Sequence, residues 1–308
     1  MTSLAKLTLV SAFLLATHAN AESSILTVTN VAPNIFAIVG PLGQRTPENL
    51  GNNATFGLIV TPEGAILMDP GGSYKGAMML AATIREITDQ PVRYVIDTGG
   101  QDHRWLGNGY WQQHGATVIA SEDAEADHVD RGTEQLAALA TMLGHDGVEG
   151  TEPSLADITF KTDYTLSLGG VELEIHHVGA AHTPGDSFVW LADQSVMFTG
   201  DIVYIKRILG VGPQSNSKEW LETFRTMAAY NPQHIVPGHG PATDLATATR
   251  DTYDYLSNLR TRMAEYIDGG GEIIGSVDVD QSAFSYLVNF DQLARKNAQQ
   301  VFTDMEWE

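Results

Sequence analysis

Hydrophobic and polar positions first fall into short β-type runs. "ILTVTN", "NIFAIVG", "TFGLIV" and "GAILMD" follow one another over residues 25–69, parted by Pro and Gly turns such as "TPEG". The stretch from Gly40 to Thr55 has no periodicity, and a loop of that length in a compact domain is more often functional than accidental. The period then changes. "SYKGAMMLAATIREIT" sets Leu80, Ile84 and Ile87 at helical spacing, and "VRYVID" follows as a buried strand. "RWLGNGYWQQHG" and "ATVIA" repeat the helix-strand pairing, and Ser121 with the acidic residues after it opens a helix in "SEDAEADHVDRGTEQLAALATMLG". Strands are expected at "DITF", "YTLSL", "VELEIHHV", "SFVWLA" and "SVMFTGD", then a helix in "SKEWLETFRTMAAY" with Trp220, Phe224 and Met227 on one face. "HIVPGHG" is a strand end and loop, the run from Ala242 to Asp268 has near-helical spacing, and "GGGE" breaks the chain before a last helix in "FDQLARKNAQQVF". The chain thus reads as two βα halves of an α/β fold, with polar clusters in loops at strand ends.

Composition narrows the functions. With 308 residues, 43% hydrophobic and 18% charged, the chain can bury a sizeable core. A formal charge of −21 argues against nucleic acid or an anionic membrane as partner, since either needs a basic patch. Residues 1–21, "MTSLAKLTLVSAFLLATHANA", have a basic start, a short apolar run and a small-x-small end. They are expected to be a signal peptide cleaved near Ala21, which sends residues 22–308 to the periplasm or the outside as one domain with a C-terminal helical extension. There is no cysteine, so any metal must be held by nitrogen and oxygen donors.

Four strand-end clusters carry candidate chemistry: "LMDPGG" around Asp69, "DTGGQDHRWLGN" around His103, "AAHTPGDS" around His182, and "MFTGD" ending at Asp201. A fifth, "IVPGHGP", holds His239. Histidines and carboxylates directly after buried strands suit metal ligation, because the scaffold fixes them rigidly.

"HTPGD", "FTGD" and "VPGHG", in this order and spacing, resemble the metallo-β-lactamase superfamily, which includes glyoxalase II-type hydrolases. Within it, "AHTPGDSFVWLADQSVMFTGDIVYIKRI" is most similar to the periplasmic quinoprotein-relay-type branch. The resemblance implies a four-layer αβ/βα sandwich with a metal cleft along one edge. It implies that a His-x-His-x-Asp-His motif supplies four ligands, that His182 completes the first metal site, that Asp201 bridges both metals, and that His239 joins the second. Asp69 matches a structural aspartate beneath the site.

The opening motif departs from the family. Laid without a gap, it becomes Gly99-x-Gln101-x-His103-Arg104; laid with a one-residue deletion and a compensating insertion, it becomes Thr98-x-Gly100-x-Asp102-His103. Both leave His103, Asp201 and His239 at the second metal, enough for one zinc, iron or manganese ion with an open position. The expectation is a hydrolase with a mononuclear site that cuts an ester, thioester or amide-like bond of a small molecule. His103 and Asp102 are the candidate catalytic residues, and His103, His182, Asp201 and His239 the candidate ligands. A true β-lactamase is not expected, since the resembling enzymes use complete histidine sets and many add a cysteine. The alternative is a metal-free, inactive relative that serves as a binding module, with Arg104 standing beside Asp201 in place of the cation. Nothing here fixes the oligomeric state.

Other residues have plainer readings. Trp105, Tyr110 and Trp111 are expected in the core, His176 and His177 on an edge-like strand, and His114, His128, His145 and His234 in solvent. Gln44 and Arg45 either cover the cleft or belong to a flexible hairpin. Lys206 and Arg207 either bind an anionic substrate group or are solvated.

Overall fold

The computed structural model describes residues 25–308; the expected signal peptide lies outside them. Seven strands form the first sheet in chain order: β1 (Thr27–Ala32), β2 (Ile35–Val39), β3 (Thr55–Thr61), β4 (Gly64–Met68), β5 (Val92–Ile96), β6 (Thr117–Ser121) and β7 (Ile158–Phe160). The first four are antiparallel neighbours, as short turns allow. From β4 onward the pairing is parallel, because α1 (Tyr74–Ile87), α2 (Asn108–Gln113) and α3 (Glu122–Leu143) carry the chain back between strands. The Ser73 hydroxyl caps α1 by accepting from Gly76 N, and that of Ser121 caps α3 by accepting from Ala124 N. Glu122, Asp123 and Glu125 place negative charge in the first turn of α3, where the helix dipole favours it.

The second sheet runs β12 (His234–Val236), β11 (Val196–Phe198), β10 (Phe188–Leu191), β9 (Val171–His176), β8 (Asp163–Leu168). Its outer face is covered by α4 (Ser217–Ala228), α5 (Leu245–Ala248) and α6 (Asp254–Asp268); α8 (Phe290–Met305) packs on α6, and α7 (Ile273–Ser276) on α8. A wide π-helical turn over residues 249–253 joins α5 to α6. The helix expected from Ala242 begins only at Leu245, because Thr243 pairs with Ile235 as a β-bridge and Asp244 then caps α5. The edges of this sheet are β12 and β8, so His176, on β9, sits on an interior strand rather than the edge-like one expected.

Three apolar layers separate four layers of structure. On β4, Ala65 and Leu67 face α1 and α2, whereas Ile66 and Met68 face the second sheet. This two-residue alternation is why both faces of the central strands are apolar. Ile59, Ile96 and Ile119 meet Leu173, Val189 and Phe198 between the sheets. Trp220, Phe224, Tyr255, Leu259, Val301 and Phe302 close the second sheet's outer face. This is the αβ/βα sandwich expected from the sequence. Among the described residues, no helix is long and apolar enough to cross a membrane.

Candidate metal centre

The loops after β4, β5, β11 and β12, and the β9–β10 connection, converge at one edge of the sandwich. Thr98, after β5, donates from its backbone N and its Oγ1 to Asp69 Oδ1 at 2.9 and 2.8 Å. Gly200 adopts φ +48°, and a Cβ there would lie 2.2 Å from Thr98 Oγ1. Only glycine lets the chain pass and deliver Asp201 beneath the β5 loop. Ile205 N donates to His239 O, tying the loop after β11 to the one after β12.

His103, Asp201 and His239 are brought together, each offering one donor atom, all within 4.8 Å of one another. His103 Nε2 lies 3.2 Å from Asp201 Oδ2, and His239 Nε2 lies 3.2 Å from Asp201 Oδ1. Donors 2.0–2.2 Å from a tetrahedral zinc stand roughly 3.3–3.6 Å apart; here each histidine faces a different oxygen of Asp201, and a small adjustment within the 4.8 Å group would seat an ion. Both His103 Nε2 and Asp201 Oδ2 are buried without a hydrogen-bond partner among the described residues, and orphaned donors facing each other fit a cation. Two imidazoles and a carboxylate also suit zinc chemically. These three residues could hold a metal ion.

The loop after β5 is packed tightly beside the triad. A Cβ on Gly99 would stand 2.2 Å from Asp186 Oδ1, and one on Gly100 would meet the Asp127 carboxylate. Gln101 Oε1 lies 3.2 Å from His182 Nε2, while His182 Nδ1 donates to Gly210 O at 2.9 Å. His182 therefore does not join the other three donors as the expected fourth ligand, although it lines the same cavity. Asp102 turns away from the cavity: its carboxylate pairs with Arg45 and accepts from His103 N at 2.8 Å. The catalytic role expected for it has no reacting space beside it.

Arg104 is completely buried. Its Nη2 donates to Asp201 Oδ1 at 2.7 Å and to Gly238 O at 2.8 Å, and its Nη1 donates to Asp69 Oδ2 at 2.6 Å. Burial pushes the Asp201 carboxyl up, but the Arg104 guanidinium and His103 outweigh it and hold the group well below the usual carboxylate range. Burial, with Arg207 nearby, keeps His239 well below its ordinary value, and burial brings His182 down to about 4. Both rings are therefore neutral at pH 7, as ligation requires.

A cavity of about 170 Å³ opens above the three donors, lined by Arg45, Gln101, His182, Tyr204, Arg207 and Leu293 among others. Of the residues whose function the sequence left open, Arg207 is buried rather than solvated, with no carboxylate within ion-pair distance among the described residues, whereas Lys206 is exposed. Its burial was not legible, because charge alone does not show which neighbour of a strand end turns inward. His128, expected in solvent, is buried: its ring stacks on Trp105 at 4.3 Å and its Nε2 donates to Gly99 O. Trp105, Tyr110 and Trp111 lie in the core, as expected.

Comparison with known proteins decides the family. The metallo-beta-lactamase superfamily model matches residues 51–239. The chain belongs to the metallo-beta-lactamase superfamily. A curated metallo-beta-lactamase type 2 of Bacteroides fragilis is 28% identical over 85 residues, 26% of this chain, and the match spans about a third (34%) of that relative's length. A solved metallo-beta-lactamase from Pontibacter korlensis superposes with TM-score 0.59 at 24% identity, covering 76% of this chain and 99% of its own. A Pseudomonas aeruginosa metallo-beta-lactamase solved in its mono-zinc form gives TM-score 0.55 at 18% identity, covering 72% and 91%. Likeness at these identities shows the metallo-beta-lactamase fold. The metallo-beta-lactamase family is generally one of hydrolytic metalloenzymes, typically zinc-binding.

Proposed function

We propose that this chain is a single-metal hydrolase, exported to the periplasm or beyond, that cuts an ester, thioester or amide-like bond in a small anionic molecule. The observation that carries this is the buried triad of His103, Asp201 and His239, with the facing Nε2 and Oδ2 atoms left unpartnered. A neighbour in the fold has been solved in a mono-zinc form. A bound divalent cation would polarise the scissile carbonyl and lower the pKa of a water.

The protein's own groups do the rest. Arg104 keeps Asp201 ionised and fixes its orientation. Asn53 O accepts from His239 Nδ1 at 2.8 Å, which leaves the Nε2 lone pair facing the site. Arg207 lacks a counter-ion and lines the cavity, so an anionic group on the substrate would satisfy it. Leu293, from α8, adds an apolar wall to the cavity. At about 170 Å³ the cavity is smaller than the ~300–1,000 Å³ of drug-sized sites.

The second reading, a metal-free binding module, has its own observation: the Arg104–Asp201 pair already supplies a cation to the bridging carboxylate. Elemental analysis of the chain from Glu22 onward, beside His103→Ala and Asp201→Asn, separates the two. About one equivalent of zinc, iron or manganese, lost in both variants, supports the hydrolase and justifies an ester, thioester and lactam screen. No metal after loading with each ion sinks it.

A further inference from the structure

We propose that Arg45 gates the candidate metal site by dictating which nitrogen of His103 carries the proton; this rests on the single-metal reading above. Arg45 Nη2 lies 2.7 Å from His103 Nδ1. A guanidinium can only donate, so Nδ1 must be the accepting, unprotonated nitrogen. A proton on the ring then sits on Nε2, which stands 3.2 Å from Asp201 Oδ2 without hydrogen-bond geometry to it. A proton there occupies the lone pair that a metal would need. With Arg45 in place, His103 is held in the tautomer that cannot ligate.

The alternative tautomer has its partner waiting. Asp102 Oδ1 lies 3.1 Å from His103 Nδ1, and a carboxylate can only accept, so it favours a proton on Nδ1 and a free pair on Nε2. That is the carboxylate-histidine arrangement that orients metal-bound imidazoles in general. Arg45 pairs with this same Asp102 oxygen and stands nearer Nδ1 than Asp102 does, at 2.7 against 3.1 Å. His239 shows the same competition with the other outcome. Its Nδ1 has Asn53 O at 2.8 Å and Arg207 Nη1 at 3.0 Å, and the acceptor is the closer. One ligand is thus ready and the other is locked.

Arg45 lies outside the strands and helices of the sandwich. It belongs to the segment between β2 and β3, and its Nε is buried without a partner, so its contacts with the core run through the guanidinium tip. Withdrawal would shift one proton from Nε2 to Nδ1 on His103, with no change in charge, and would present Nε2 to the cation.

The test compares wild type with Arg45→Ala, Arg45→Lys and the double variant Arg45→Ala/Asp102→Ala, each checked for folding by circular dichroism. Two readouts are taken. The first is the His103 tautomer in metal-free, 15N-labelled protein, assigned against His103→Ala. The second is zinc affinity by competition with a chromophoric chelator. The gate requires an Nε2–H tautomer in wild type, Nδ1–H in Arg45→Ala, and a rise in zinc affinity of about 10–100-fold, the range typical of groups adjoining metal ligands. Arg45→Lys, which keeps a donor, should stay at the wild-type affinity, and the double variant should lose the gain. Zinc bound equally by wild type and Arg45→Ala, or an Nδ1–H tautomer already in wild type, overturns the gate and leaves the hydrolase reading standing. Zinc bound by none of the variants overturns the hydrolase reading and the gate with it.

Discussion

At Arg104 one guanidinium serves two buried carboxylates, Asp69 and Asp201, neither of which has another cationic side chain of fixed charge within ion-pair reach among the described residues. Arg104→Met keeps much of the volume and leaves both carboxylates without that partner. It should cost on the order of 3–5 kcal/mol, read from the urea midpoint, and a loss under about 1 kcal/mol would mean the carboxylates are neutralised some other way. The pairing was partly visible in the sequence, since the ungapped motif sets Arg104 where a ligand belongs and Asp201 needs a positive neighbour. What it could not show is the orientation of side chains beside the motif. Asp102 and His103 are adjacent in sequence, yet His103 faces the cavity while Asp102 turns to Arg45. One 3₁₀ turn over residues 102–104 separates them, a shape that no periodicity announces.

At the scale of elements, the turn over residues 249–253 positions the cavity wall. Thr252 Oγ1 donates to Tyr204 O at 2.7 Å and accepts from Tyr204 N at 2.9 Å, and Asp251 Oδ2 accepts from Lys206 N at 3.0 Å. The loop carrying Tyr204 and Arg207 is thus held by the widened turn, since it forms little sheet of its own. Thr252→Val keeps the shape and strands both backbone groups of Tyr204. Thermal unfolding should report a loss of about 1–3 kcal/mol, and a shift too small to measure would show that the loop finds other partners. Elements with strong local signals were legible: α1, α3 and α4 each carry an N-cap side chain and an apolar stripe, and each lies where the sequence placed it. The start of α5 was misplaced, because the β-bridge between Thr243 and Ile235 is a long-range contact that outweighs local helical spacing. The short turns at residues 273–276 and 282–284 carry too few apolar positions to show a period.

For the whole molecule, the C-terminal segment is part of the core. Phe284, Leu287, Ala294, Ala298, Val301 and Phe302 pack in one cluster with Trp220 and Leu259. Asn297 accepts from Val211 N at 2.9 Å and donates to Leu209 O at 2.8 Å. Each large side chain buried there stabilises by roughly 1.5–3 kcal/mol, so the set rivals the ~5–15 kcal/mol total of an ordinary domain. A chain ending at Gly271 should therefore be recovered unfolded or insoluble, and a cooperative melt from it would refute this. The three-layer core was legible as hydrophobic alternation, whereas the association of α8 with α6 was not, because sequence shows that a face is apolar and not what it meets. The cationic cavity has a consequence for the rate of encounter. Arg45 and Arg207 lie inside a body of net charge −21, so an approaching anion meets repulsion at a distance and attraction only near the mouth. With a screening length of about 8 Å at physiological ionic strength, added salt weakens the far field more than the near one. Capture of an anion should accordingly quicken as salt is raised from low levels, the reverse of ordinary electrostatic steering.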